Sequence, residues 1–190
     1  MNNKLALEGL KKLQSIFPSI FIICGTLLGC IREKGFISWD NDMDFGLFLK
    51  DWDETYLKKL KENDFSVLAN VFWNFDNCEK FIVKESINKR AKIQLAYKTN
   101  KIRICLEIFS NGLDEYYYSS SSPKYGMFRC PKKLLKTRIK HPFYDTFVNI
   151  PEKYEEFLTF MYGKSWKKPI RNYISSPLHK ENSKNFHVDV

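Results

Sequence analysis

Trp39-Asp40-Asn41-Asp42-Met43-Asp44-Phe45-Gly46 sets three acids within five residues at the head of an apolar run. From Asp42 to Leu49 the pattern alternates and predicts a strand. Strand geometry then puts Asp42 and Asp44 on one face, with Met43 and Phe45 on the other. Two carboxylates so placed repel each other unless a divalent cation neutralises them. Hard oxygen ligands of this kind suit Mg2+ or Mn2+, which in turn bind the phosphates of a substrate. A merely acidic turn facing water fits poorly with the flanking Trp39, Phe45, Leu47 and Phe48.

Upstream of this stretch, Leu5, Leu7, Leu10, Leu13 and Phe17 repeat at near-helical spacing and predict an amphipathic helix closed by Pro18. Ile20 to Cys24 reads as a short buried strand, and a helix follows through Leu27, Leu28 and Ile31. The intervening Gly25-Thr26 offers backbone N–H groups at a helix start and a hydroxyl, where a phosphate can rest. Downstream, a helix is expected from about Trp52 to Asn63. Strands are expected over Phe65–Trp73, Lys80–Lys84, Ala91–Tyr97 and Ile102–Phe109, the last two joined by a turn at Lys98–Lys101. In the last strand Ile102, Ile104, Leu106 and Ile108 share one face. Glu107 projects from the other and is the candidate third carboxylate.

Beyond Asn111-Gly112, Tyr116-Tyr117-Tyr118 and the four serines after them read as an exposed loop, either a plain linker or a mobile lid. Pro151 reads as the first turn of a helix running to Gly163. Residues 1–175 are expected to form one domain, with 176–190 a polar, flexible tail.

The 190 residues carry a net charge of +9, with 44% apolar and 28% charged types, an ordinary globular composition. No apolar run is long enough to span a bilayer and no leader pattern opens the chain, so a cytoplasmic protein is expected. The basic surplus is concentrated at Lys124, Arg129, Lys132, Lys133, Lys136, Arg138 and Lys140. That segment is either a solvated face or a phosphate-facing patch. The cysteines at 24, 30, 78, 105 and 130 form no C-x-x-C pair and read as reduced, structural thiols. His141, His179 and His187 are scattered, and no metal role is expected of them.

Cys24-Gly25-Thr26-Leu27-Leu28-Gly29-Cys30-Ile31-Arg32, followed by Gly35-Phe36-Ile37-Ser38-Trp39-Asp40-Asn41-Asp42-Met43-Asp44, resembles the signature of the LicD family. That family includes phosphocholine transferases and fukutin-type ribitol-phosphate transferases, within the nucleotidyltransferase superfamily. Leu106-Glu107-Ile108-Phe109 is similar to the family's later strand motif, where Asp is usual in place of Glu. The ending from Ile150 through Tyr162-Gly163 to Pro169 resembles the family's final helix and its stop.

The resemblance implies an α/β to α+β fold: a small mixed β-sheet flanked by helices, with a nucleotidyltransferase-like core. It implies transfer of a phosphocholine or alditol-phosphate group from a CDP-linked donor to a hydroxyl of a cell-surface glycan. Asp42, Asp44 and Glu107 would hold Mg2+ or Mn2+, and Glu107 would take the hydroxyl proton. Gly25 and Thr26 would grip phosphates, Arg32 would add a cationic contact, and Asp40 would orient a ligand. Nucleic acid is not the expected partner, and a peripheral contact with the anionic inner face of the membrane is an option. Two other classes stay open. One is a nucleotidyltransferase acting on nucleic acid or a small molecule, and the other is a non-catalytic basic binding module.

Overall fold

The computed structural model describes residues 1–72, 90–99, 101–119 and 127–171. The strand expected at Lys80–Lys84, Cys78, Lys124, His179, His187 and the C-terminal tail lie outside the described residues.

Helix α1 (Asn3–Ile16) begins where the Asn2 side chain accepts the Leu5 N–H at 3.1 Å, an N-cap. It buries Ala6, Leu10 and Leu13. Strand β1 (Phe21–Ile22) is only two residues long, because the chain turns at Cys24, with φ 45°, into α2 (Cys24–Arg32). Strand β2 (Asp42–Phe48) follows, then a 3-10 turn (Leu49–Asp51) and α3 (Thr55–Glu62). This helix starts three residues later than the apolar spacing suggests. The Asp53 carboxylate accepts the Thr55 N–H at 2.7 Å and fixes the start there.

Strands β3 (Phe65–Phe72), β4 (Arg90–Tyr97) and β5 (Ile102–Asn111) complete the order β1-β2-β5-β4-β3. The β2–β5 pair is parallel and the others are antiparallel. With helices against this sheet the fold is α/β in mixed form, as expected. Ile104, Leu106 and Ile108 are buried beneath it, with Met43, Phe45 and Leu47 of the neighbouring strand. Lys98 and Thr99, both at positive φ, turn the β4–β5 hairpin.

Two readings of the C-terminal half are corrected. Tyr116–Tyr118 is not a loop: it lies in β6 (Glu115–Ser119), which pairs with β5 and with β7 (Met127–Pro131). Aromatic packing drives this, since Tyr118 stacks between Phe109 and Phe128, and Tyr116 meets Phe48. Pro151 does not start a helix. It ends β9 (Thr146–Pro151), which forms a hairpin with β8 (Arg138–Phe143), and the last helix begins only at Tyr154. Part of the basic segment also serves the fold, beside the short α4 (Lys132–Leu135). Arg138 lies 4.6 Å over the Phe48 ring, Lys132 lies over Tyr116, and Arg129 pairs with Glu115.

The β8–β9 hairpin matters to the site because it braces it. Asn149 donates to the Ile20 carbonyl at 2.8 Å, and the Phe36 N–H donates to the Tyr144 hydroxyl at 3.0 Å. Helix α5 (Tyr154–Tyr162) stops at Gly163, whose φ is 80°. No described helix is long and apolar enough to cross a membrane.

Candidate active site

The acids sit where β1, the start of α2 and the head of β2 meet. The Ile23 N–H donates to the Asp44 carbonyl at 3.2 Å, and the Asp44 N–H donates to the buried Thr26 hydroxyl at 2.8 Å. The Gly25 N–H donates to Asp44 Oδ2 at 3.0 Å. The strand–helix turn therefore seats Asp44. Of the groups expected to grip phosphate, the Gly25 N–H already holds the Asp44 carboxylate and the Thr26 hydroxyl already holds the Asp44 backbone N–H. A Cβ added to Gly25 would come within 2.4 Å of Asp40 Oδ2 and 3.2 Å of Asp44 Oδ2, so only glycine allows both carboxylates to close on this turn.

Asp42 and Asp44 share a face, both half-buried, while Met43 and Phe45 enter the core. Burial above all, then the charges of Asp42 and Asp40, hold the Asp44 carboxyl well above the usual range, against the Gly25 N–H. Asp40 is pushed up to about 6, first by burial and then by its hydrogen bond to Asp42. Three carboxyls gathered this way leave an excess of negative charge that a cation would relieve.

The parallel register sets Cys105 beside Asp44 and Glu107 beside Gly46. Ligand atoms of Asp42, Asp44 and Cys105 lie within 4.8 Å of one another, a spacing that fits one metal ion. Burial pushes the Cys105 thiol up to about 12, so the carboxylates supply the charge and a hard divalent cation suits the set. Cys105 precedes Glu107 by two residues on β5, so alternation sets both on one face, and that is the sequence signal that points Cys105 toward the site.

Glu107 does not join that close trio. It is buried two residues further along β5, where Lys92, itself buried, donates to its Oε1. Its Oε2 has no hydrogen-bond partner among the described residues. Burial pushes Glu107 up to about 7, with the Lys92 ammonium pulling the other way.

Beside the acids lies a cavity of about 270 Å³. Gly25, Leu28 and Arg32 line it from one face of α2, and Asp40 and Trp39 line it from the loop before β2. Its far wall is Tyr162, Trp166 and Lys168, from the end of α5 and the segment after it. Arg32 ties the walls together, donating from Nη1 to the Trp166 carbonyl at 3.2 Å and from Nε to Glu33 at 2.7 Å. Thus Gly25, Arg32 and Asp40 meet at one cavity. The far wall was not foreseen, because more than a hundred residues of chain separate it from α2.

Residues 19–153 match the LicD family, described as LicD/FKTN/FKRP, nucleotidyltransferase domain. The chain is also similar to the mouse (Mus musculus) protein named ribitol-5-phosphate transferase FKTN. The two are 22% identical over 173 residues, covering 88% of this chain and 34% of the relative. The chain therefore spans about a third of the length of that curated relative. Asp40, Asp42, Asp44 and Glu107 fall inside the family match, whereas Tyr162, Trp166 and Lys168 lie beyond it.

Proposed function

This chain belongs to the LicD/FKTN/FKRP nucleotidyltransferase-domain family, and on that premise we propose that it is a phosphotransferase dependent on Mg2+ or Mn2+. It moves a phosphocholine or alditol-phosphate group from a CDP-linked donor to a glycan hydroxyl. The observation that carries this reading is the pairing of Asp42 with Asp44 on one strand face, locked by the Gly25 and Thr26 contacts to Asp44. The relative's printed activity, transfer of ribitol 5-phosphate, supports the alditol arm.

Asp42 and Asp44 would hold the cation, with the Cys105 sulfur beside them. Bound there, a divalent cation neutralises phosphate charge and acidifies an attacking hydroxyl. The acceptor oxygen attacks the distal phosphorus of the donor. The bond from that phosphorus to the bridging oxygen breaks, and CMP leaves. Glu107, titrating near neutrality and with Oε2 unpartnered among the described residues, would take the hydroxyl proton. Lys92 holds its other oxygen and fixes the carboxyl. Asp40, its carboxyl raised by burial and then by the nearby Asp42, would orient that ligand. The surplus of positive charge suits work at an anionic membrane surface, where glycan acceptors can be presented.

Mass spectrometry of products from a panel of CDP-linked donors and a surface glycan tests the reading. Addition of the donor's phosphorylated head group, with release of CMP, is expected in Mg2+. Attachment of the nucleotide itself to the acceptor would overturn it in favour of nucleotidyl transfer.

A further inference from the structure

We propose that the mouth of the cavity beside the acids is a membrane-contact surface, on which Trp39, Ile170, Lys164, Lys168 and Arg171 meet an anionic lipid bilayer. This rests on the reading of an enzyme working at an anionic surface given above, and it adds the face that touches the lipid.

Burial shows which side of the cavity opens. Helix α2 forms the floor, and Leu28, Ile37 and Trp166 are buried inside. Trp39 is 44% exposed and Ile170 is 48% exposed, with Ser165 and Lys168 also exposed. Residues that line a cavity and also face water stand at its opening. An indole from the loop before β2 and an isoleucine from the segment after α5 therefore share one rim. That segment is pinned. The Trp166 ring is buried, its carbonyl accepts from Arg32 Nη1 at 3.2 Å, and the Lys168 N–H donates to the Ser165 carbonyl at 2.9 Å. The residues on either side of Trp166 are thus presented outward on a fixed support.

The charge around this rim selects the partner. Lys164-Ser165-Trp166-Lys167-Lys168-Pro169-Ile170-Arg171 carries four cations and no acid. Lys167 is engaged with Glu155 at 3.1 Å. Lys164, Lys168 and Arg171 are exposed and form no ion pair among the described residues. Uncompensated cations beside an exposed indole and an exposed aliphatic side chain match the two layers of a bilayer surface. The indole and the isoleucine suit the boundary between headgroups and acyl chains, and the cations suit the lipid phosphates. Other partners use only part of this set. A nucleic acid would engage the cations and stack on Trp39 but leave Ile170 in water. A neutral glycan would stack on the indole and give the three cations no counter-charge. With this mouth on a bilayer, the cavity that holds Asp40 opens toward the surface from which a lipid-carried acceptor would come.

Co-sedimentation of the full chain with phosphatidylcholine vesicles, with and without an equal share of phosphatidylglycerol, reads this surface directly. Binding is expected to the mixed vesicles only, and it should weaken as salt is raised. Changing Lys164→Ala together with Lys168→Ala should weaken it about 25-fold, at about fivefold for each cation near the surface. Trp39→Ala should weaken it about tenfold, the effect of returning roughly 55 Å² of apolar surface to water. Trp39→Phe should restore most of the binding, while brominated acyl chains that quench the wild-type fluorescence should quench this variant less. Melting curves matching the wild type establish that the variants fold. No binding to mixed vesicles, binding indifferent to these residues, or undiminished quenching in Trp39→Phe would overturn the assignment. Tighter binding of a single-stranded oligonucleotide than of vesicles through the same residues would overturn it too. Its fate is separable from that of the proposed reaction. Vesicle binding through Trp39, Lys164 and Lys168 in a protein that turns over no CDP-linked donor would sustain the surface and remove the reaction. Turnover of a soluble acceptor by a protein that ignores mixed vesicles would do the reverse.

Discussion

Asp44 combines two roles that ordinarily conflict. Its backbone and side chain tie β2 to the α2 turn, yet its charge is unwelcome where Asp40 and Asp42 crowd it. Asp44→Asn keeps the shape, leaves an oxygen for the Gly25 N–H and removes the repulsion. The metal-free variant should melt no lower than the wild type, and its activity should fall more than about a hundredfold, beyond the 10–100-fold typical of outer-shell partners of a metal. A near-normal rate would remove Asp44 from the ligand set. Glu107 behaves differently because its partner is a buried ammonium. Burial works most strongly against the Lys92 charge, but Glu107, first among several groups that also include Cys105 and Asp44, together with them holds the ammonium above its usual range. Lys92→Met should cost about 3–5 kcal/mol at pH 8 by stranding the ionised Glu107, and adding Glu107→Gln in a double variant should recover much of that loss. Additive losses in urea titrations would mean that the pair is not coupled. Strand alternation pointed to Glu107 as a third acid, but it had no means of pairing it with a lysine fifteen residues earlier on the neighbouring strand.

Helix α2 is the element on which the site depends, since it carries the turn that seats Asp44 and the floor of the cavity. Its position is set by close approach: a Cβ on Gly29 would lie 2.6 Å from the Gly35 carbonyl oxygen and 3.1 Å from the Ile37 backbone nitrogen. Backbone cannot swing aside as a side chain can. Gly29→Ala should therefore cost about 1–3 kcal/mol by overpacking, and it should shift α2 enough to lower turnover in the folded fraction. Full stability and activity would show that the loop from Glu33 to Trp39 yields freely. This turn, with β2 and β5, was readable because alternation and helical spacing are local signals. The β8–β9 hairpin was not. His141-Pro142 interrupts its apolar pattern, and its outward residues, such as Phe147, are themselves large and apolar. β6 was hidden for a related reason. Three consecutive tyrosines show no alternation, and only packing against Phe109 and Phe48 turns them into a strand.

Over the whole molecule, stability, pH and metal are linked through the same carboxyls. Asp40 rises from 3.8 to about 6 and Glu107 from 4.5 to about 7, and Asp44 is raised as well. Each folded-state value lies above the unfolded one, so the native protein binds more protons than the unfolded chain between them. The stability these groups lend is complete below about pH 4 and is lost as pH climbs through 6 to 7, with a slope of about 1.4 kcal/mol per pH unit for each group while it titrates. A divalent cation binds the deprotonated form, and so restores stability where the bare protein loses it. Melting temperatures between pH 5 and pH 8 should therefore fall in EDTA relative to those in saturating Mg2+, and the gap should widen steadily with pH. Turnover should vanish in EDTA and return with Mg2+ or Mn2+. Asp44→Asn should narrow the gap at every pH, because it removes both a repelling charge and a ligand. Glu107→Gln should flatten the EDTA curve mainly between pH 5 and pH 7, the interval over which that residue titrates. A gap that stays constant from pH 5 to pH 8, with activity intact in EDTA, would mean that the acids of β2 serve the fold and not a cation.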